Sequence, residues 1–205
     1  MTRQWGFLRE TEEKAIKAGL DPDTGVCRTG LDEYLKVIFK DTNDWVHDKG
    51  LPKELKSRRR PDYRSESLKL IVEFDGLLHY TSPENIQSDL ESIKLYESIG
   101  YKIVRIPYFI QLTNSAVEKL FGVKVNEPLF DVNIPSLGIK NKNTPAYLCV
   151  AGVERMAKEF TMFPDQYKTN LDTLIKENND SLTGVSYLIG SFNKFSKKEI
   201  DNYGC

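Results

Sequence analysis

Cysteine is scarce in this chain: Cys27, Cys149 and Cys205 are widely spaced and form no C-x-x-C pair, which excludes a disulfide framework and a zinc knuckle. Long apolar runs are also missing. No stretch approaches the ~20 residues that a bilayer span needs, and the opening MTRQWGFLRETEEK has no apolar signal segment. The expectation is therefore a cytoplasmic protein with no membrane partner. An excess of charge of one sign is absent too, with 29 Lys and Arg against 30 Asp and Glu, which argues against a general polyanion binder. What is present is enough apolar material for a core. The 205 residues are 40% hydrophobic, and a chain of this size buries about 70% of its unfolded surface. These values suit one globular domain with an appended lobe.

Balanced totals conceal a local concentration of positive charge. Lys53, Lys56, Arg58, Arg59, Arg60, Arg64 and Lys69 fall within one short segment, while acids gather elsewhere, as at Glu10, Glu12 and Glu13. Such a run is either an electrostatic footprint for a phosphate backbone or a solvated basic loop.

The apolar spacing divides the chain. Residues 8 to 19 read as a charged helix ended by Gly19, and Leu31, Leu35, Ile38 and Phe39 mark a helix over 30 to 40 with Thr29 as its N-cap. DWVHD (44 to 48) is a candidate strand. PDYRS and LKLIVEF (68 to 74) read as a hairpin, followed by a helix over 86 to 99 with Ile86, Leu90, Ile93 and Ile99 on one stripe and Gly100 as its cap. YKIVRIPYF (101 to 109) is then a strand, and strand, helix and strand form a parallel β-α-β unit. Residues 125 to 145 form a loop rich in Pro, Asn and Gly, and helical spacing returns over 147 to 160, 166 to 178 and 182 to 189.

Candidate chemistry lies in the hairpin. Asp62 and Glu73, with ten residues between them, come to one side of the sheet if the turn is tight, and Asp75 points to the same face as Glu73. Three converging carboxylates repel one another unless a divalent cation holds them, and hard oxygen donors suit Mg²⁺ or Mn²⁺. A carboxylate inside LIVEF also demands a partner, either a metal or an arginine such as Arg105. A carboxylate-held dication beside a basic loop is the equipment of phosphodiester hydrolysis.

Pro61-Asp62, then Glu73-Phe74-Asp75-Gly76 with His79, resembles the PD-(D/E)XK nuclease superfamily, and within it the branch of very-short-patch-repair endonucleases, where E-x-D-G-x-x-H replaces E-x-K. Gly100 to Arg105, GYKIVR, is similar to the strand that follows the helix in that branch, so the resemblance covers about residues 29 to 109. It implies an α/β fold with a restriction-endonuclease-like α-β-β-β-α-β core, a mixed sheet flanked by helices, and a mainly helical C-terminal extension. The corresponding division is an N-terminal helical extension (1–28), a nuclease core (29–124) and a C-terminal loop and helical lobe (125–205).

By the same resemblance Asp62 and Glu73 are metal ligands and Asp75 takes the place of the usual lysine, where it binds metal or acts as a base. An acid on the first helix, Glu33 or its neighbour Asp32, reaches the metal water. His79 is either a proton shuttle or phosphate contact, or a loop histidine bonded to backbone. Lys56, Arg58, Arg59, Arg60 and Arg64 are the expected DNA contacts. His47 and Trp45 read as structural, and Lys94 as solvated or as a migrated catalytic lysine. The expected function is a Mg²⁺-dependent endonuclease of restriction type acting on double-stranded DNA, with Mn²⁺ as a substitute metal and a homodimer admitted. The alternatives are a non-catalytic DNA-binding module and a repair nickase.

Overall fold

In the computed structural model, residues 31–55, 57–130, 132–133, 135–138 and 144–202 are described. Thr29, Lys56 and the helix expected over 8 to 19 lie outside them, as does the side chain of Glu33. Among the described residues the architecture is α/β, with seven α-helices and one four-stranded mixed sheet.

The chain enters through α1 (Leu31–Ile38), whose residues Leu31, Tyr34, Leu35 and Ile38 form one buried face. Three antiparallel strands follow: β1 (Val46–His47), β2 (Tyr63–Ser65) and β3 (Leu70–Asp75). The strand expected over 44 to 48 is thus reduced to two residues. Helix α2 (Pro83–Ser98) then crosses to β4 (Lys102–Pro107), which pairs with β3 in parallel. Strand order in the sheet is β1-β2-β3-β4.

Alternation along the strands sorts side chains onto two faces. Tyr63, Leu70, Val72, Val104 and Ile106 pack with α1 and with α3 (Asn114–Phe121), a short helix without a counterpart in the sequence reading. The opposite face carries Ile71 and Ile103 against Tyr96 and Leu95 of α2. Further along that face the residues are polar: Glu73 lies opposite Arg105 and Asp75 opposite Pro107. A central strand covered on both faces must be apolar throughout, so the acids near the end of β3 mark where the core stops and a site begins.

Helix α2 departs from expectation in two ways. It starts at Pro83 with the Ser82 hydroxyl capping the Asn85 amide at 3.1 Å, a Ser-Pro start that places the helix three residues earlier than its apolar stripe does. Its buried residues are Asp89, Ser92 and Tyr96, while Leu90 is 49% exposed. Partners across the sheet explain this orientation, because Asp89 and Tyr96 reach arginine and carboxylate groups there. The helix ends before Gly100, at φ +84°.

Beyond β4, helices α4 (Val150–Thr161), α5 (Pro164–Lys176), α6 (Asp180–Thr183) and α7 (Val185–Asn202) form the C-terminal lobe. The segment expected as one helix over 182 to 189 is divided at Gly184, and α7 runs on well past it. Val153, Met156, Ala157 and Phe160 of α4 share a core with Tyr80, Tyr108 and Phe109. Gly152 is the close approach: a Cβ there would stand 1.8 Å from the Tyr80 carbonyl oxygen. No helix among the described residues is long and apolar enough to cross a membrane.

Candidate active site

The pairing of Tyr63 with Val72 sets Asp62 opposite Glu73 at the mouth of the hairpin. Their contact is reciprocal. The Asp62 amide donates to Glu73 Oε2 at 3.2 Å, and the Phe74 amide donates to Asp62 Oδ2 at 2.7 Å. The Tyr96 hydroxyl also bonds to Glu73. Burial and the neighbouring Asp62 charge raise the Glu73 carboxyl to about 7. Burial raises Asp62 too, against the Phe74 amide bond, which favours the carboxylate. Neither acid has an ion pair among the described residues. Arg105, in register with Glu73, directs its hydrogen bonds to Asp75 instead.

Asp75 is fully buried and compensated by two cations. Arg105 Nε donates to its Oδ2 at 2.8 Å, Arg105 Nη2 to its Oδ1, and Arg155 Nη2 to Oδ2 at 2.5 Å. The repulsion expected among three carboxylates is therefore relieved at Asp75 by arginine, since a buried carboxylate requires a paired charge. Asp89 of α2 shares both arginines, at 3.0 Å from Arg105 and 2.6 Å from Arg155.

His79 follows on a short 3₁₀ turn (Leu77–Tyr80). Its Nδ1 lies 2.9 Å from both Asp89 oxygens, so the ring donates from Nδ1 to a carboxylate rather than to backbone. Nε2 has no partner among the described residues. Burial opposes the imidazolium, but the Asp89 hydrogen bond and the Asp75 charge outweigh it and raise the His79 pKa. This is the arrangement of an oriented proton-transfer group. The ligand atoms of Asp75, His79 and Asp89 all lie within 4.8 Å of one another, close enough to hold a metal ion.

The basic run is dispersed. Arg58 is exposed and makes no ion pair among the described residues. Arg59 donates to the Ser88 hydroxyl at 2.8 Å and stands 3.6 Å from Glu91 of α2. Arg60 pairs with Asp48 at 3.0 Å. Arg64 departs from its expected role as a displayed DNA contact: its side chain is only 12% exposed and lies 3.7 Å from Glu66. As the middle residue of β2 it faces the sheet's α2 side, which covers it. His47 packs at a tilt against Tyr63, 4.7 Å between ring centres, and Trp45 packs beside Phe39. Lys94 is exposed on α2.

No family model, curated protein or solved structure matches the chain. The site includes residues that the sequence reading missed. Asp89, Arg155, Glu159 and Tyr80 belong to the polar cluster, with the Tyr80 hydroxyl donating to Glu159 at 2.6 Å. One signal was readable: Asp89, Ser92 and Tyr96 recur at helical spacing. Arg155 had none toward the site, since Asp89, His79 and Asp75 lie 66 to 80 residues away.

Proposed function

We propose that this chain is a Mg²⁺-dependent endonuclease hydrolysing DNA phosphodiester bonds on a restriction-endonuclease-like core. The observation that carries the reading is the Asp62–Glu73 pair: two largely buried carboxylates joined across a hairpin, both raised in pKa, and with no salt bridge among the described residues. The element order α1, β1, β2, β3, α2, β4 supports it, as does the motif Glu73-Phe74-Asp75-Gly76 with His79.

The donor chemistry fits a hard dication at Asp62 and Glu73, with Mn²⁺ as a substitute, because such an ion offsets the burial, and at Glu73 the neighbouring Asp62 charge, that hold these carboxyls above their ordinary range. Bound there, it supplies phosphate polarisation and an activated water. The Asp75–His79–Asp89 cluster is the weaker place for an ion, since Arg105 and Arg155 already neutralise its carboxylates. Asp75 then serves as the anchor of Arg105 rather than as a base.

Asp89 orients His79 through Nδ1, leaving Nε2 to accept or return a proton at the reacting phosphate. Arg58, exposed and without an ion pair among the described residues, and Arg59 and Arg60 beside it provide positive charge before Asp62 to hold the backbone of double-stranded DNA. An acid on α1, Glu33 or its neighbour Asp32, is the further catalytic group of the proposal. The C-terminal lobe provides surface for base readout or for a second copy.

Incubating supercoiled plasmid with the protein, with and without Mg²⁺, tests the reading. Linear product that requires Mg²⁺ supports a restriction-type enzyme. Nicked circles alone identify a nickase, binding without cleavage a non-catalytic DNA-binding module, and neither binding nor cleavage overturns the proposal.

A further inference from the structure

The C-terminal lobe enters the candidate site through Arg155, braced by Glu159. Arg155 of α4 donates from Nε to Glu159 at 2.9 Å, from Nη1 to Asp89 at 2.6 Å and to the His79 carbonyl at 3.2 Å, and from Nη2 to Asp75 at 2.5 Å. A guanidinium has five N–H donors, and these bonds engage four of them. With four of the five donors spent on protein atoms, no two-pronged fork is left open for a phosphate. Its effect must pass through the residues it touches.

Those residues belong to three separate elements: Asp75 ends β3, Asp89 lies on α2, and His79 lies on the turn between them. Helix α4 is held against that turn at several points. The Arg155 guanidinium lies over the Tyr80 ring at 4.7 Å, the Tyr80 hydroxyl donates to Glu159, and Gly152 lets the helix backbone reach the Tyr80 carbonyl. Only a planar, multidentate cation spans two carboxylates and a carbonyl while being braced by a third carboxylate; a lysine ammonium on this stem cannot.

We propose that Arg155 is a positioning residue of the nuclease site, bridging Asp75 and Asp89 and holding the His79 carbonyl so that Asp89 fixes the imidazole for proton transfer. The inference rests on the nuclease reading. It makes the C-terminal lobe part of the active site, although the lobe lies outside the segment that carries the nuclease-like motif.

A cavity of about 370 Å³, walled by Ile86, Leu90, Ile93, Met162 and Phe195, borders Arg105 and Arg155. A small cation can therefore reach the gap left by truncating Arg155. The test uses the full chain and a duplex oligonucleotide in Mg²⁺, comparing the unmodified protein with Arg155→Lys and Arg155→Ala, each checked for folding by its melting transition. In both variants kcat is expected to fall ~100-fold, the cost of misplacing a reacting group by about 1 Å, with KM for DNA unchanged. Free guanidinium at millimolar concentration restores the Arg155→Ala rate saturably, whereas methylammonium does not. If Arg155→Ala does not fold, Arg155→Lys decides.

Full kcat in a folded Arg155→Lys overturns the positioning role. So does a fall in rate that matches the lost folded fraction and does not respond to guanidinium. An unmodified protein that cleaves in neither Mg²⁺ nor Mn²⁺ overturns the nuclease reading itself and the positioning role with it. Cleavage by the unmodified protein with indifferent variants overturns the inference alone.

Discussion

Asp62 and Glu73 each hold the other's strand: the Asp62 amide donates to the Glu73 carboxylate at 3.2 Å, and the amide just beyond Glu73 donates to the Asp62 carboxylate at 2.7 Å. The hairpin is thereby fastened at its mouth by two acids that repel each other as soon as both ionise. This conflict has measurable consequences.

The first is a dependence of stability on pH. Glu73 titrates at about 7 in the fold, against an ordinary value of 4.5, so between these values the unfolded chain loses its proton first and rising pH disfavours the fold. The penalty is absent below about 4.5 and complete above about 7. Glu73→Gln, which carries no charge, is therefore expected to exceed the parent in metal-free stability by up to about 3 kcal/mol above neutrality, with the difference closing in acid. Urea titrations at several pH values measure this. Equal stability of the two proteins in mild alkali would contradict it.

Asp75, unlike Glu73, is ion-paired, to Arg105 and Arg155. Asp75→Asn leaves Arg105 and Arg155 facing a neutral amide, and breaking a buried pair of this kind costs about 3 kcal/mol or more. The loss should appear in urea unfolding with or without metal, and Mn²⁺ should not recover it. Recovery of stability and activity by Mn²⁺ would instead make Asp75 a metal ligand.

Much of the sheet and its parallel crossover was legible because runs such as LIVEF and KIVRI offer no alternative to burial, and the pair Asp62 and Glu73 followed from where those runs end. What was not legible depended on distant partners. Leu90 belongs to an apolar stripe, yet it is exposed because α2 turns Asp89 and Tyr96 toward the polar end of the sheet. The eight-residue α3 is recognisable mainly from its caps, Thr113 and Gly122. Arg64 looks like one more member of a basic run until the register places it in the middle of β2.

The dispersal of the basic run leaves its members unequally available. Arg59 is tethered to Ser88 and Glu91, whereas Arg58 is exposed. Replacing both with alanine should weaken binding to all DNA sequences and flatten the salt dependence of affinity by about one unit of slope per lost phosphate contact, with Arg58 contributing the larger share. Fluorescence anisotropy over a range of salt concentrations measures the slope. An unchanged slope in the double variant would assign the run to a solvated loop.

Cleavage of supercoiled plasmid by Asp62→Ala and Glu73→Ala, each shown to be folded, tests the carboxylate pair most directly. Both variants are expected to lose Mg²⁺-dependent cleavage while remaining folded, the relief of a repelling charge set against the loss of the amide bond that each carboxylate accepts. Mg²⁺-dependent cleavage at the parent rate by either folded variant would contradict the assignment of Asp62 and Glu73 as the metal-holding pair.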